Sequence, residues 1–228
     1  MEILYQDERV FVVHKPTGQN VIPGRGPESG PCLKDEAAAH FGGKVFVVHR
    51  IDRETSGIVL FARDAAAHRF LNGAFEGRHI QKEYLAAVQG DPAPAKGSVG
   101  VPLRLFGSGR VAAGPGGKPC RTDYETWARW EGGALLLVRP VTGRRHQIRA
   151  HLAGIGHPVL GDPLYGPPPR PVGGAPRLML HAGRLAFPHP DGGTRTVCCD
   201  PPEAFRAFVR IVAKSEIVYP TEVKMGAL

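Results

Sequence analysis

The chain has 228 residues, 42% hydrophobic and 22% charged, the balance of an ordinary soluble globular protein with one substantial core. No apolar run approaches the ~18 residues of a membrane span, and no charged-then-apolar leader opens the chain. The four cysteines, Cys32, Cys120, Cys198 and Cys199, lack C-x-x-C spacing, which argues against a disulfide scaffold or a zinc site and fits a reducing cytoplasm. The net charge of +8 is spread through loops with no dominant basic run. That distribution suits a folded groove for a polyanion, of which nucleic acid is the commonest, although the same charge would also serve solubility alone.

In chain order, Ile3–Tyr5 and Val10–His14 read as strands about a Gln6-Asp7-Glu8 turn, and Val21–Pro31 is a Gly/Pro-rich loop. The Ala-rich Leu33–Phe41 suits a short helix. Val45–His49 and Ile58–Ala62 are apolar and β-branched, hence strands. Asp64 caps a predicted helix to about Glu76, with Ala67, Phe70, Leu71, Ala74 and Phe75 at helical spacing. Tyr84–Gln89 is a strand; Asp91–Gly97 and Gly107–Pro119 are loops, the second carrying Arg110 and Lys118. Thr122–Arg129 and Ala134–Pro140 pair across Glu131-Gly132-Gly133, and Arg145–Gly154 is a short helix. Pro167–Pro176 is Pro/Gly-rich and expected to be mobile. Leu178–Phe187 and Thr194–Cys199 are strands, and Pro202–Lys214 is an amphipathic helix with Phe205, Phe208, Val209 and Val212 on one side. Strands adjoin strands as often as helices, so the expected class is α+β: a mixed, largely antiparallel sheet with flanking helices. The expected organisation is one domain over residues 1–214, with a loosely held tail at 215–228.

Three segments carry the chemistry. His49-Arg50-Ile51-Asp52-Arg53-Glu54-Thr55-Ser56-Gly57 sets a carboxylate between two arginines, just before a buried strand. Nearby positive charge favours an ionised Asp52, suited to a nucleophile or electrostatic stabiliser; the plainer alternative is a surface loop with ordinary ion pairs. The second is Lys82-Glu83-Tyr84-Leu85-Ala86-Ala87-Val88-Gln89-Gly90. The third runs Thr142-Gly143-Arg144-Arg145-His146-Gln147-Ile148-Arg149-Ala150-His151-Leu152, followed by Gly161-Asp162-Pro163-Leu164-Tyr165-Gly166.

Together they resemble the RluA-type pseudouridine synthases, whose pattern is H-R-L-D-x-x-T-S-G, then K-x-Y-x-A-x-V-x-G, then G-R-x-H-Q-I-R-x-H-L. All three occur in family order, and Val12-Val13-His14-Lys15-Pro16-Thr17-Gly18 and Gly117-Lys118-Pro119-Cys120-Arg121-Thr122-Asp123-Tyr124 also fit. The likeness spans about residues 2–210. It implies a pseudouridine-synthase fold with a basic groove for RNA. It also implies isomerisation of a uridine within structured RNA, ribosomal or transfer: the N1–C1′ bond breaks, the uracil turns, and C5 bonds to C1′. Nothing is gained or lost, so no cofactor and no metal are expected. The pattern begins at Glu2-Ile3-Leu4-Tyr5, so no S4-type RNA-binding domain is expected ahead of it. A monomer in the cytoplasm is the further expectation.

By that resemblance Asp52 is the catalytic carboxylate, through a covalent adduct or a glycal-like intermediate. Tyr84 stacks on the flipped uracil. Arg149 pairs with Asp52. Arg50 enters the RNA helix and fills the space the base vacates, a task that suits a stacking guanidinium better than lysine. Arg144 either binds phosphate or supports its turn; Lys82 either contacts phosphate or sits at the strand mouth. Asp162 reads as a turn residue bonding nearby backbone, and His49, His146 and His151 as structural, the last two on different helical faces. No second carboxylate of a glycosidase pair stands out; Glu54 is given no role. No G-x-x-x-x-G-K-[ST] or helix-opening G-x-G-x-x-G occurs, and Gly24-Arg25-Gly26 lacks the spacing. Departures from the pattern at His14, Ile51, Cys120 and Arg145 leave the Asp52, Tyr84 and Arg149 set intact. Two rivals are a silent RNA-binding module, which needs no such set, and a nucleoside hydrolase, which the lone carboxylate disfavours.

Overall fold

The computed structural model describes residues 1–24, 30–107, 109–166 and 174–219. In chain order the elements are β1 (Glu2–Gln6), β2 (Val10–Lys15), α1 (Leu33–His40), β3 (Phe46–Val47), β4 (Ser56–Ala62), α2 (Ala65–Glu76), β5 (Gln81–Gln89) and β6 (Lys96–Val99). They continue with β7 (Leu103–Leu105), β8 (Val111–Ala113), β9 (Thr122–Trp130), β10 (Gly133–Pro140), α3 (Gln147–Gly154), β11 (Leu180–Pro188), β12 (Thr194–Cys198) and α4 (Glu203–Ala213). The chain divides into two compact units, Met1–Gln81 with Ala182–Asp200, and Lys82–His181 with the chain from Pro201 onward. The class is α+β, as expected where strands adjoin strands as often as helices.

In the first unit the strand order is β1-β2-β4-β11, with β12 on β11 and β3 on β4. β2 and β4 pair antiparallel from Val10↔Ala62 to Lys15↔Gly57. Every residue of β4 is buried, because both faces of the strand are covered. Ile58, Leu60 and Ala62 pack with Val10, Val12 and the Ala67, Leu71 and Ala74 stripe of α2. On the opposite face Phe61 stacks on Phe11, with centroids 4.9 Å apart. α2 starts where it does because Asp64 Oδ1 accepts the N–H groups of Ala66 (2.8 Å) and Ala67 (2.9 Å), a helix N-cap.

In the second unit the order is β5-β10-β9-β6, with β7 and β8 a separate two-stranded hairpin. β10 is paired antiparallel on both sides, with β5 (Leu137↔Leu85) and with β9 (Leu137↔Glu125). Its leucines, Ile148 and Leu152 of α3, and Phe205 and Val209 of α4 form one core. The amphipathic pattern of α4 therefore reports a real packing face.

Several boundaries differ from the sequence expectation. The strand expected over Val45–His49 is only Phe46–Val47. The Leu60 N–H beyond it donates to the His49 ring instead of to a strand carbonyl. α3 begins at Gln147, not Arg145, because His146 adopts a left-handed φ of 51°. The loops expected over Asp91–Gly97 and Gly107–Pro119 contribute β6 from Lys96 and β8, and Leu103–Leu105 is an unanticipated strand. Most of the Pro167–Pro176 segment lies outside the described residues. The 215–228 tail is described only to Tyr219, which is buried with its ring 6.4 Å from Phe205, while Trp127 Nε1 donates to the Val218 carbonyl at 2.8 Å. No helix among the described residues is long and apolar enough to cross a membrane.

Candidate active site

Asp52 sits half-buried in the turn that feeds β4, where the Thr55 N–H donates to the Asp52 carbonyl at 3.1 Å. The turn does not hold itself. It is bound to the Lys15–Gln19 loop at the end of β2. Lys15 is fully buried, and its ammonium donates to the carbonyls of Pro16 (2.8 Å), Gln19 (2.8 Å) and Arg53 (3.0 Å). The Gly18 N–H also donates to the Arg53 carbonyl (2.8 Å), and Thr17 Oγ1 donates to that of Glu54 (2.7 Å). A buried ammonium is tolerated only with its donors satisfied, and here backbone carbonyls surround it. Just beyond, Gly57 has φ +119°, and a Cβ there would lie 2.2 Å from the Ala182 carbonyl oxygen, so only glycine fits that place in the Thr55-Ser56-Gly57 sequence. His49 Nε2 accepts the Leu60 N–H at 3.1 Å, which makes it a structural histidine.

The two arginines beside Asp52 differ in their surroundings. Arg53 Nε donates to the Gly18 carbonyl at 2.9 Å, and Arg50 is exposed. Neither forms an ion pair with Asp52 among the described residues. Arg53 belongs to the staple between the two loops.

The second unit carries Lys82, Tyr84, Arg144 and Arg149. Tyr84 lies in β5 opposite Val138 of β10, half-buried against the core. Lys82, two residues earlier, donates to the Thr142 carbonyl at 3.1 Å, and burial pushes its ammonium down to about 8. It therefore anchors the turn that leads to Arg144. Gln147 fixes the same turn: its Oε1 accepts from Thr142 Oγ1 (2.7 Å) and the Arg144 N–H (3.0 Å), while Nε2 donates to the Arg121 carbonyl (2.9 Å). The Arg144 guanidinium itself is exposed.

Arg149 on α3 is 1% exposed. Its Nε and Nη2 donate to the two oxygens of fully buried Asp162 at 2.7 and 2.8 Å. A parallel pair of charge-assisted bonds fixes the plane of the guanidinium as well as its position. Tyr165 lies beneath it, with ring centroid and guanidinium carbon 5.2 Å apart. Asp162 also accepts the N–H groups of Leu164 (2.8 Å) and Tyr165 (3.1 Å), as its reading as a turn residue requires. The sequence reading did not find its second role as partner of Arg149. The Tyr165 hydroxyl accepts the Val111 N–H at 3.0 Å and meets His146 Nδ1 at 3.0 Å. His151 Nδ1 meets Thr122 Oγ1 at 2.9 Å, and burial holds its imidazole below the usual range. Both histidines are thus parts of the scaffold. Among the described residues no three His, Cys, Asp or Glu side chains gather to hold a metal.

The family model of the RNA pseudouridylate synthases matches residues 9–154. The chain belongs to that family. A dual-specificity RNA pseudouridine synthase RluA of Escherichia coli K12 is 39% identical over 196 residues, covering 84% of this chain and 88% of its own. The Yersinia pestis protein of the same name is 37% identical over 198 residues, covering 85% and 95%. Among solved structures, human RNA pseudouridylate synthase domain containing 4 aligns with a TM-score of 0.76 at 25% identity, covering 92% of each chain. The synthase is therefore of the RluA type, and its reaction is the isomerisation of uridine to pseudouridine in RNA.

Proposed function

We propose that the synthase acts on chosen uridines of structured ribosomal or transfer RNA, without a cofactor, and that Asp52 is the carboxylate that acts at C1′. The observation that carries the assignment is the Asp52 turn: a half-buried carboxylate on a loop held by a fully buried lysine and a glycine that no other residue can replace. Fixing a reacting group at that cost in buried polar bonding is what positioning for chemistry requires. In this reading Arg149, oriented by Asp162, pairs with the Asp52 carboxylate. Tyr84 offers an aromatic face to the uracil once it leaves the stack. Arg50, exposed beside Asp52, occupies the space the base vacates. Lys82 holds the Thr142 turn, and Arg144 at the end of that turn meets phosphate. Kinship with synthases named dual-specificity favours more than one RNA substrate. The enzyme is taken to work as a monomer in the cytoplasm.

One assay separates this reading from its rivals. The protein is incubated with uridine-containing ribosomal and transfer RNA, and the nucleosides are resolved by mass spectrometry. Pseudouridine at defined positions is the expected product. Free uracil would mean a hydrolase, and bound but unchanged RNA would mean a silent binding module.

A further inference from the structure

Asp162 holds Arg149 along one edge, its two oxygens accepting from Nε and Nη2. Two bonds in one plane fix that edge, yet the group can still rock about the line that joins them. The Tyr165 ring lies against the guanidinium, 5.2 Å from its carbon, and opposes that rocking. Both grips come from one short turn. Asp162 Oδ1 also accepts the N–H groups of Leu164 and Tyr165, at 2.8 and 3.1 Å. The carboxylate that takes Arg149 therefore also sets the backbone that carries the ring. The turn has a rigid root: Gly161 has φ +73°, and a Cβ there would lie 1.7 Å from the Arg177 carbonyl oxygen.

Tyr165 does more than a core aromatic requires. It is 2% exposed, among Leu103, Val111, Cys120 and Ala150, and phenylalanine would fill that volume. Its hydroxyl meets two further groups: it accepts the Val111 N–H at the start of β8 and lies 3.0 Å from His146 Nδ1. His146 precedes α3 in a left-handed conformation, φ 51°, which a residue other than glycine adopts only when its surroundings hold it there. Its ring also stands edge-on to that of Tyr165, with centroids 5.7 Å apart and planes at 88°. Arg149 lies in the first turn of α3, so the conformation at His146 sets the direction in which its side chain leaves the helix. A second guanidinium, that of Arg110, lies 5.3 Å from the same Tyr165 ring. Tyr165 thus reaches Arg149 by two routes, directly through its ring and through the helix start by its hydroxyl.

We infer that Tyr165 is a positioning residue of the reaction, one that sets the orientation of Arg149 and thereby the rate and not the affinity for RNA. The inference rests on the reading that Arg149 pairs with the Asp52 carboxylate. Tyr165→Phe keeps the ring and removes the hydroxyl; Tyr165→Leu removes both. Single-turnover pseudouridine formation is measured at saturating RNA, well below each variant's melting transition, beside the dissociation constant for the same RNA. Because a displacement of ~1 Å can cost on the order of a hundredfold, Tyr165→Leu should lose about a hundredfold in rate and Tyr165→Phe about tenfold, with the dissociation constant unchanged. A tyrosine that only fills the core would lower the melting temperature and leave the saturating rate of the folded protein as it is. The route is tested in an Arg149→Lys background, where Tyr165→Phe should cost no further rate, since residues that act through one group are not additive. A second readout needs no change at Arg149: by NMR, its buried Nε–H should exchange with solvent faster in Tyr165→Leu than in wild type. A wild-type saturating rate in both Tyr165 variants would overturn the inference. So would a full Tyr165→Phe loss on top of a slow Arg149→Lys, or an unchanged Nε–H exchange. A wild-type rate in Arg149→Lys would instead overturn the pairing of Arg149 with Asp52, and this inference with it, so the two failures are told apart.

Discussion

Lys15→Met removes the ammonium from the staple under Asp52 and leaves the aliphatic stem. The carbonyls of Pro16 and Gln19 then lose the only donor that reaches them among the described residues, while the Arg53 carbonyl keeps the Gly18 N–H. At about 1–3 kcal/mol for each orphaned carbonyl, the loss is about 2–6 kcal/mol. For a chain of this size that is a fall of roughly 5–20 °C in melting temperature. Activity should suffer more than stability indicates, because the same bonds place the Asp52 turn, and a displacement of ~1 Å can cost on the order of a hundredfold in rate. The assay is a thermal melt with single-turnover pseudouridine formation measured well below the variant's transition. The milder Thr17→Val, which removes only the bond to the Glu54 carbonyl, should give a smaller change of the same kind. A Lys15→Met protein that melts within 2 °C of wild type and keeps its rate would refute this reasoning.

Asp162→Asn replaces a carboxylate that holds Arg149 through two bonds with an amide that can accept through only one oxygen. Breaking a buried pair in this way costs about 3–5 kcal/mol, so a large fall in denaturation midpoint is expected, with loss of turnover beyond it; wild-type stability would contradict the clamp. Lys82 has a folded-state pKa of about 8 against an ordinary 10.5, so the unfolded chain binds its proton more tightly. Its contribution to stability should therefore rise with pH between about 8 and 10.5, by at most ~1.4 kcal/mol per pH unit. Denaturant titrations of wild type and Lys82→Met across that range should diverge in favour of wild type, and parallel curves would refute the shift. Arg50→Ala should slow the reaction more on a structured stem-loop than on a flexible single strand, since extruding a base costs least where it is already unstacked. Equal losses in single-turnover rate on both RNAs would assign Arg50 to chemistry or folding instead.

Sequence and structure agree where a feature is local. The Asp64 cap, the α2 stripe and the apolar face of α4 are periodic or contiguous patterns, and each was legible. The β7–β8 hairpin was not. Its strands are only three residues long, and Gly107, Gly109, Gly114, Gly116 and Gly117 surround β8 with turn signals that hide it. Two supports of the candidate residues are also non-local. Lys15 reads as the polar end of a strand, and only the fold reveals that carbonyls from two loops converge on it. Asp162 is thirteen residues from Arg149, and its Gly-Asp-Pro-Leu-Tyr context points to a turn, which is half of what it does. Arg53 is a third case: the sequence shows its adjacency to Asp52, and only the fold shows that its side chain also bonds the Gly18 carbonyl. The motifs thus name the candidate residues, and the contacts that support them are legible only in the fold.

The central claim is that Asp52 performs the chemistry. Asp52→Asn preserves shape while removing the charge and most of the nucleophilicity. It should abolish pseudouridine formation in a single-turnover assay on an RNA that wild type converts. Affinity for the same RNA should stay close to wild type or tighten slightly, because a negative charge near phosphates is gone, and the melting temperature should be retained. Substantial turnover by a folded Asp52→Asn protein would contradict the account.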